Sequence, residues 1–413
     1  MKDLEKIKIL KKNAPCYVYD KTQIVARCRE LKRVMPPEIK LLYSVKANPF
    51  VPVVKTIISE GFGADAASAG EVLLVADVCG LSHDRIFFSA PGKSEEDISE
   101  AWKKCVFIAD SFSELKKLDS FAAKGGIRLA VGIRVNPTFS MDDNSAVSSK
   151  FGIDEELLIQ NTMRFSHLEI AGIHTHLQSQ ILNVQKLSMY YQNCYALAER
   201  LQGVSGIGLR FINFGSGLGT VYDPEKDHAP ELSILGQTMQ ELVLQNKKRL
   251  QAELYLETGR FLTCNAGTYY TCVVDRKESR GKTYLIVQNA MNGFLRPTVA
   301  ELLRQNAGEF PQRGQEPLYT SGSACRISVV GRQGNTETVD VVGNLCTALD
   351  VMARGIRLPR AEIGDILAVS NAGSYGYSLS LQLFSTQKKP GQYLWEERDA
   401  CSDVPIKNQE DIK

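Results

Sequence analysis

The stretch KLLYSVKANPFVPVVKTIISEGFGADA, residues 40–66, contains one complete unit of the fold. The apolar run at 40–45 is typical of a buried strand, and the amphipathic segment at 51–61 is typical of a helix. A second apolar run begins at Gly63. A strand, a helix and another strand in this order favour a parallel α/β unit.

The same order of elements continues through the first two thirds of the chain. Eight short apolar runs alternate with amphipathic segments, at 40–45, 63–67, 86–90, 106–109, 129–135, 170–176, 209–214 and 253–257. Eight such units over about 220 residues predict an α/β fold of the (β/α)8 TIM-barrel type.

The pattern changes after residue 265. Strand-like runs separated by Gly, Asn and charged turns follow one another without long helices, at 268–279, 283–290, 326–332, 337–343, 365–372 and 375–384. These runs predict a second, mostly antiparallel β domain. CYVYD at 16–20 reads as one more strand of it. The expected division is therefore an N-terminal segment at 1–36 that joins the β domain, a barrel at 37–265 and a β domain at 266–413, whose polar end should fray.

Composition excludes several classes of protein. The 413 residues are 44% hydrophobic and 23% charged, as in soluble globular proteins. Forty-nine Lys and Arg against 47 Asp and Glu give no electrostatic reason to expect a nucleic-acid partner. No apolar run reaches the ~18 residues of a membrane span, and the start MKDLEKIKIL lacks the apolar core of a signal peptide. Ten cysteines without a C-x-x-C pair favour reduced thiols in a cytoplasm over a structural zinc site.

The predicted strands end in residues with chemical functions. Barrel enzymes carry their active sites at the carboxyl ends of the strands. The residues at or just after those ends are Lys46, Asp65, Ser68, Glu71, Arg134, Asn136, His174, His176, Ser179, Gly215, Ser216, Gly217, Gly219, Glu257, Gly259 and Arg260. A lysine, an acid, histidines and a glycine loop at one mouth suit a phosphate-bearing cofactor held as an imine.

Each of these residues also has a purely structural interpretation. Lys46 is a candidate for Schiff-base formation or a surface lysine at a strand terminus. The NFGSGLG loop either cradles a phosphate or makes an ordinary tight turn. Glu257 either faces a protonated ring nitrogen or pairs with Arg260 at the barrel rim.

The remaining candidates are open in the same way. His174 and His176 share a strand face, so one of them stacks on a cofactor ring, or both pack in the core. No third ligand at metal spacing accompanies them, and no metal site is predicted. Taken alone, Cys346 and Tyr375 read as packed residues.

Taken together, these segments resemble the pyridoxal-phosphate decarboxylases of the alanine-racemase-like barrel fold, which include diaminopimelate, ornithine and arginine decarboxylases. The similar segments keep the family order from Tyr43 to Tyr375: YSVKANP, GADAASAGE, RVNP, SKFGI, GIHTHLQSQ, NFGSGLG, ETGR, AMNGFLRP, GNLCTALD and NAGSYG. The resemblance implies pyridoxal 5'-phosphate as cofactor and loss of the α-carboxylate of an amino acid as the reaction.

The resemblance also implies roles for individual residues. Lys46 would carry the cofactor, His176 would stack on its ring and Glu257 would face its nitrogen. Cys346 would be a catalytic residue reaching the partner subunit's site in a homodimer, where it or Lys46 returns a proton to Cα. Positions near the lysine or the cofactor would be Asp65 and Arg134, and the phosphate would meet Ser179, Gly215, Ser216, Gly217, Gly259, Arg260 and Tyr375.

The chain departs from the family beside Cys346. In the diaminopimelate enzymes the segment at this cysteine resembles C-E-S, and in the ornithine enzymes it resembles C-D-G. The acidic residue after the cysteine would then meet the distal ammonium of the substrate. Here the next residue is Thr347, and a hydroxyl does not neutralise a buried ammonium. The pattern Cys346-Thr347-x-x-Asp350 instead resembles decarboxylases of siderophore pathways and of a carrier-bound glutamyl group. Arg296 would then bind a carboxylate-rich substrate.

Two other functions remain open at this point. An amino-acid racemase uses the same barrel and lysine, but it needs a base, typically a tyrosine, where this chain has Cys346. A non-catalytic relative is the third interpretation, and it is disfavoured because Lys46, His176, Glu257 and Cys346 are all present. The preferred prediction is a decarboxylase of a conjugated or acidic amino acid, and the alternative is a decarboxylase of diaminopimelate or another free diamino acid.

Overall fold

A computed structural model describes residues 2–141, 145–161, 164–204, 206–305 and 324–396. The chain divides into two compact units. The sheet unit contains Met1–Ile24, Val221–His228 and Leu262–Lys413, and the barrel unit contains Val25–Thr220 and Ala229–Phe261. The N-terminal division thus lies between residues 24 and 25, inside a helix. The sequence pattern predicts it after residue 36.

The helices of the described residues are α1 to α11 in chain order. Their bounds are α1 Lys2–Asn13, α2 Lys21–Val34, α3 Val51–Ser59, α4 Ala69–Leu73, α5 Glu95–Ala101, α6 Phe112–Gly125, α7 Glu155–Gln160, α8 Val184–Gln202, α9 Leu232–Lys248, α10 Arg260–Thr263 and α11 Leu295–Gln305. Within this part of the chain, no helix is both long enough and apolar enough to cross a membrane.

Eight parallel strands of the barrel unit form a closed sheet. They are β2 Ile39–Ser44, β3 Gly63–Ala66, β4 Ile86–Phe88, β5 Val106–Ala109, β6 Leu129–Asn136, β8 Leu168–His174, β9 Ile207–Asn213 and β10 Glu253–Thr258. Each strand pairs with its neighbour around the ring, and pairing of β5 with β6 closes it. The predicted barrel is confirmed, with every predicted strand within about two residues of its place. A two-residue strand, β7 Ile153–Asp154, pairs in parallel with the last two residues of β6.

Aromatic side chains fill the centre of the barrel. The ring of Phe87 lies 4.7 Å from that of Tyr255 and 5.3 Å from that of Phe211, centroid to centroid. The Phe211 ring occupies space that the side chains of two neighbouring residues would fill if those residues were not glycines. A Cβ on Gly172 would lie 2.6 Å from the Phe211 ring, and one on Gly132 would lie 2.8 Å from it. These two glycines therefore allow a large ring to pack where strands converge.

Helix α5 shows how the sequence sets local boundaries in the barrel unit. Ser94 precedes the helix, and its hydroxyl accepts a hydrogen bond from the Asp97 backbone N–H at 3.0 Å. The carboxylate of Asp97 accepts in return from the Ser94 backbone N–H at 2.8 Å. This reciprocal capping satisfies N–H groups that the first turn leaves without helical partners.

The sheet unit contains one mixed sheet. Its strands are β1 Cys16–Asp20, β11 Gly267–Ser279, β12 Lys282–Val287, β13 Ile327–Val329, β14 Thr336–Gly343, β15 Val351–Pro359, β16 Ile366–Val369 and β17 Gly391–Trp395. Five of the strand pairings are antiparallel, and β12–β14 and β1–β17 are parallel. The predicted second β domain is confirmed, and CYVYD joins it as predicted by pairing with β11.

Three elements of this unit differ from the sequence prediction. The segment at 375–384 is not a strand: Tyr375 has a φ of 52°, and the chain continues in turns that expose Leu383. Strand β15 was not predicted, because Gly355 with its φ of 62° interrupts the alternation of its side chains. Helix α11 was not predicted either. Strand β17 lies in the polar tail, and the last residues, which are expected to fray, lie outside the described part of the chain.

Candidate active site

Lys46 lies at the carboxyl end of the barrel. It follows β2 in a short turn, and its side chain is 42% exposed, so a ligand has access to the amine. Its Nζ lies 3.5 Å from Oδ2 of Asp65, the last but one residue of the neighbouring strand β3. The Ser89 hydroxyl donates a hydrogen bond to the other oxygen, Oδ1. Asp65 is completely buried, so the lysine amine faces a carboxylate that solvent does not reach.

The charge of Asp65 depends on its neighbours. Burial raises its pKa above the ordinary value, and the nearby carboxylate of Glu257 raises it further. The ammonium of Lys46 and the hydrogen bond from Ser89 lower the pKa and oppose this effect. The lysine and the two acids therefore influence one another's charge at the end of the barrel.

Glu257 is a buried carboxylate at the end of β10. Its Oε1 accepts a hydrogen bond from Asn213 Nδ2 at 2.9 Å and lies 3.1 Å from His174 Nε2. Burial alone raises its pKa, but the His174 imidazole and the Lys46 ammonium outweigh burial and hold the pKa below its usual range. An ionised carboxylate is costly to bury unless cationic or hydrogen-bonding partners face it. Glu257 is thus prepared to face a protonated nitrogen.

His176 lies just beyond β8 and keeps a neutral ring. Its Nδ1 accepts a hydrogen bond from the Ser216 backbone N–H at 3.0 Å, so its proton resides on Nε2. Burial lowers the pKa of His176 to about 3, and the charge of Lys46 contributes in the same direction. The two histidines predicted as a pair therefore differ in role: His174 contacts Glu257 inside the barrel, while His176 supports the glycine loop.

The glycine loop after β9 needs its glycines. Gly215 and Gly217 have φ values of 64° and 141°. A Cβ on Gly215 would collide with the Thr175 carbonyl oxygen, and one on Gly217 would lie 2.7 Å from the Leu187 side chain. The loop therefore permits a close approach of bare backbone. It makes a tight turn as well, because the Gly215 N–H donates to Asn213 Oδ1 at 2.9 Å.

Arg260 and Ser179 are brought together beside this loop. One guanidinium nitrogen of Arg260 lies 3.3 Å from the Ser179 hydroxyl, and Arg260 is almost completely buried. Gly259, immediately before it, packs closely on the turn that carries Lys46, where a Cβ would lie 3.0 Å from that of Ala47. A guanidinium, a hydroxyl and a glycine turn are the kinds of group that bind phosphate.

Arg134 is a second buried cation of the site. It lies in the last three residues of β6, and its guanidinium donates to the His176 carbonyl oxygen at 3.2 Å. Asp110 Oδ1 lies 3.7 Å from the same guanidinium, and the Phe151 ring centroid lies 4.3 Å from its central carbon.

Glu71 adds an unusual acid close to Lys46. It lies in the first turn of α4, which Ser68 caps, and its carboxylate accepts from the Ala67 N–H at 2.7 Å. Burial raises the pKa of Glu71 to about 7, although the Ala67 N–H and Lys46 oppose the shift. Its charge thus changes near neutral pH.

The other predicted site residues belong to the sheet unit. Cys346 is exposed in a turn before β15, and Thr347 beside it is partly buried. Both carboxylate oxygens of Asp350 accept backbone N–H bonds, from Met291 at 2.8 Å and from Leu345 at 2.9 Å. Asp350 therefore shapes the turn that presents Cys346.

Arg296 and Tyr375 lie close together in that unit. Arg296 is completely buried and donates to the carbonyl oxygens of Ser374 at 2.9 Å and Asn371 at 3.4 Å. Its central carbon lies 5.3 Å from the Tyr222 ring centroid. Tyr375 is buried as well, with its strained left-handed backbone directly after Ser374. Arg296 thus holds the loop that carries Tyr375.

Sequence reasoning missed four residues of the barrel site: Ser89, Asp110, Asn213 and Phe151. The first three stand at strand ends, after β4, after β5 and at the end of β9. The rule that barrel strands carry functional residues at their carboxyl ends applies to all three. Phe151 lies in the family-like segment SKFGI, but no strand end marks it, since it precedes only the two-residue strand β7.

The donor set fits pyridoxal phosphate. The ionised, buried carboxylate of Glu257 suits a pyridinium nitrogen, and a neutral imidazole suits contact with a flat ring. The glycine turn with Arg260 and Ser179 suits a phosphate, and the amine of Lys46 is open to a carbonyl carbon. These groups converge at the strand ends where barrels carry their chemistry.

Comparison with known proteins agrees with this fit. The family described as "Pyridoxal-dependent decarboxylase, pyridoxal binding domain" matches residues 21–264, more than half of the chain. The diaminopimelate decarboxylase of Aquifex aeolicus is 29% identical over 377 residues, which are 89% of this chain and 83% of the relative. A Niallia circulans decarboxylase, whose name gives an L-glutamyl group on the acyl-carrier protein BtrI as substrate, is 29% identical over 92% of this chain and 88% of the relative.

A solved structure extends the similarity to both units. The diaminopimelate decarboxylase of Helicobacter pylori, in complex with L-lysine, has a TM-score of 0.77 and 26% identity. The match covers 93% of this chain and 92% of that one. The closed barrel, the second sheet and the residues at the strand ends therefore have one common explanation: this chain belongs to the pyridoxal-dependent decarboxylases, and its cofactor is pyridoxal phosphate.

Proposed function

We propose that this protein removes the α-carboxylate of an amino acid as carbon dioxide at the carboxyl end of its barrel. The observation that carries the proposal is the buried, ionised Glu257 in the same charge group as the accessible amine of Lys46. In the reaction the Cα–carboxylate bond breaks, and a proton forms the new Cα–H bond. When bound, pyridoxal phosphate supplies the electron sink that accepts the electron pair of the broken bond.

The residues of the chain would contribute by keeping the cofactor ring protonated and by orienting the groups that react. Glu257 would keep a proton on the ring nitrogen, because its carboxylate remains ionised in the buried site. His176 would give a neutral flat surface, and Asp65 would orient the Lys46 amine across 3.5 Å. Cys346 or Lys46 would return the proton to Cα. These assignments follow the resemblance and agree with the burial and charge of the barrel residues.

The first substrate candidate is diaminopimelate. Supporting it are the similarity to the Aquifex enzyme and the fold shared over nearly the whole chain with the Helicobacter enzyme. The preference in the sequence analysis for a conjugated or acidic substrate in a siderophore or secondary-metabolite pathway has less support from these relatives. Diaminopimelate carries a distal carboxylate as well as a distal ammonium. The predicted contact of Arg296 with a carboxylate of the substrate is therefore compatible with diaminopimelate.

The second candidate is a conjugated or acidic amino acid, and one observation favours it. Thr347 stands at the position where the pattern of the diamino-acid decarboxylases has an acidic residue. A hydroxyl does not offset the charge of a distal ammonium. The Niallia relative, named for a carrier-bound glutamyl group, is as similar as the Aquifex enzyme. A carrier protein would be a partner for this candidate only.

Three predictions accompany this proposal, of which the first two rest on the resemblance and the third on the pattern of cysteines. They are a homodimer whose subunits share active sites through Cys346, a small amino-acid-derived substrate, and a cytoplasmic location. The exposure of Cys346 in a single chain is compatible with a role in a partner's site.

Carbon dioxide release tests the function directly. Purified protein with pyridoxal phosphate would be given meso-diaminopimelate, lysine, ornithine, arginine, glutamate and a carrier-linked glutamyl group, with Lys46→Ala as the inactive control. Release from diaminopimelate supports the first candidate, and release from only the acidic or conjugated substrates supports the second. Exchange of enantiomers without carbon dioxide release would identify a racemase and contradict the proposal.

Thr347→Glu sharpens the choice between the substrates, with Thr347→Ser as its matched control. If the substrate has no free distal ammonium, the added acid should lower turnover of that substrate and improve binding of diamino acids. If the wild type already turns over diaminopimelate rapidly, the charge argument drawn from Thr347 is wrong.

A further inference from the structure

The guanidinium of Arg134 is held from three sides within the barrel unit. The Phe151 ring centroid lies 4.3 Å from its central carbon, Asp110 Oδ1 lies 3.7 Å from one nitrogen, and another nitrogen donates to the His176 carbonyl oxygen at 3.2 Å. Arg134 is 7% exposed. A buried arginine with a defined set of contacts has little freedom, so whatever it touches is fixed as well.

The backbone explains why Phe151 lies on this guanidinium. Strand β7 pairs with the end of β6, Val135 opposite Ile153, and this register brings the preceding residues back over Arg134. Gly152 has a φ of 80°, and a Cβ there would lie 2.8 Å from the Asn136 nitrogen. Only a glycine allows the chain to approach β6 so closely, and the approach delivers the Phe151 ring.

Asp110 is fixed by a separate buried ion pair. Its backbone N–H donates to Oε2 of Glu114 at 2.9 Å, and the same oxygen lies 3.1 Å from Lys93 Nζ. Both side chains of the pair are almost inaccessible to solvent. Burial raises the pKa of Asp110, and the Gly152 backbone and the Arg134 guanidinium oppose this shift, so the segment that carries Phe151 contributes to the surroundings of this carboxylate.

We propose that Phe151 is a positioning residue: its ring, with Asp110, holds Arg134 against the backbone of His176 and so determines how tightly the barrel binds pyridoxal phosphate. The inference rests on the proposed function, because it assigns His176 to the cofactor ring. Phe151 itself need not touch the substrate or the cofactor. It acts through Arg134, whose contact with His176 lies at the point where the chain leaves β8.

The strength of the ring contact follows from burial. A cation over an aromatic face is stabilised more when it is removed from water, as Arg134 is. Lys150 lies on the same ring at 4.8 Å, but it is exposed and its contact is therefore weaker. Leucine would keep most of the apolar volume of Phe151 and lose the ring face, whereas tyrosine would keep the ring.

The test compares Phe151→Leu with Phe151→Tyr and a control. Phe121→Leu is the control, because it also removes a partly buried ring, one that packs on Trp102 at 5.9 Å on the outside of the barrel. The readouts are the dissociation constant of pyridoxal phosphate from absorbance titration of cofactor-free protein, the melting temperature of that protein, and kcat and KM of the holoenzyme. Phe151→Leu should raise the dissociation constant about tenfold and lower kcat with little change in KM. Phe151→Tyr should stay within about twofold of the parent.

Two results would overturn the inference. If Phe151→Leu lowers the melting temperature as Phe121→Leu does and leaves cofactor affinity unchanged, the ring is only structural. If Phe151→Tyr weakens the cofactor as much as Phe151→Leu, the ring face is not what holds Arg134. Failure of the parent protein itself to bind pyridoxal phosphate would instead refute the proposed function, so the two failures are distinguishable.

Discussion

Replacing Glu71 with glutamine should remove a pH dependence that this carboxyl imposes on the stability of the barrel. In the folded protein burial raises the pKa of Glu71 from 4.5 to about 7. In the unfolded chain the carboxyl releases its proton near its ordinary value. Between these two pH values the folded state binds more protons, so the free energy of unfolding falls as the pH rises from about 4.5 to 7.

The size of the effect follows from the difference between the two pKa values. Each pKa unit corresponds to about 1.4 kcal/mol, so the full difference gives at most about 3.5 kcal/mol. Glu71 is partly exposed and keeps the hydrogen bond from Ala67, so about 1 to 3 kcal/mol is the expected range. Glutamine retains an oxygen for the Ala67 N–H and has no charge to bury. The variant should therefore match the parent near pH 5 and exceed its stability by this amount at pH 8.

The assay is urea unfolding of cofactor-free protein at pH 5 and pH 8, for the parent, Glu71→Gln and Glu100→Gln. Glu100 is exposed on α5, so its replacement should leave the pH dependence of the parent unchanged. Other buried groups such as Asp65 titrate in every variant, and only the difference between parent and variant reports on Glu71. An equal loss of stability between the two pH values in the parent and in Glu71→Gln would refute the reasoning.

Three further outcomes are expected. Glu257→Gln should lower kcat about 30- to 100-fold with a smaller effect on KM, measured as carbon dioxide release, because it removes the buried charge that keeps the ring protonated; an unchanged kcat would contradict this role. Gly172→Ala should lower the melting temperature and destabilise the barrel by about 1 to 3 kcal/mol, because its Cβ would lie 2.6 Å from the Phe211 ring. Ser94→Ala should cost about 1 kcal/mol through loss of the cap on α5, seen in the same thermal scan, while Ser94→Asp should restore most of it.

The barrel was predictable because its strands are buried on both faces. Runs such as 40–45 and 106–109 are almost entirely apolar, and the segments between them keep one apolar face, so both periods are visible in the sequence. The sheet unit was harder to read. Gly355 interrupts the pattern of β15, and the alternation at 375–384 belongs to exposed turns, where Leu383 is 83% accessible. Alternation alone does not distinguish a half-buried strand from a turn with apolar side chains in water.

The site was predictable to a similar degree and for a related reason. Parallel strands place their carboxyl ends at one edge, so a list of strand ends is already a list of neighbours, and the structure brings Lys46, Asp65, Glu257 and His176 together in this way. The strand-end rule carries no information on the partners of these groups. It did not indicate that His174 would contact Glu257 or that the oxygens of Asp350 would bind backbone.

The residues that support the site come from pairings too short to leave a pattern. Strand β7 has two residues, yet its register with β6 and the left-handed Gly152 carry Phe151 onto Arg134. Lys93 is equally difficult to recognise from the sequence, because a lysine before a helix is usually a surface residue. Only the fold shows that it is buried and paired with Glu114. Residues at strand ends can therefore be recognised from each strand separately. Residues that support them can be recognised only from contacts between distant segments of the chain. Substitutions at such supporting positions should change cofactor affinity without removing any group that would contact the cofactor directly.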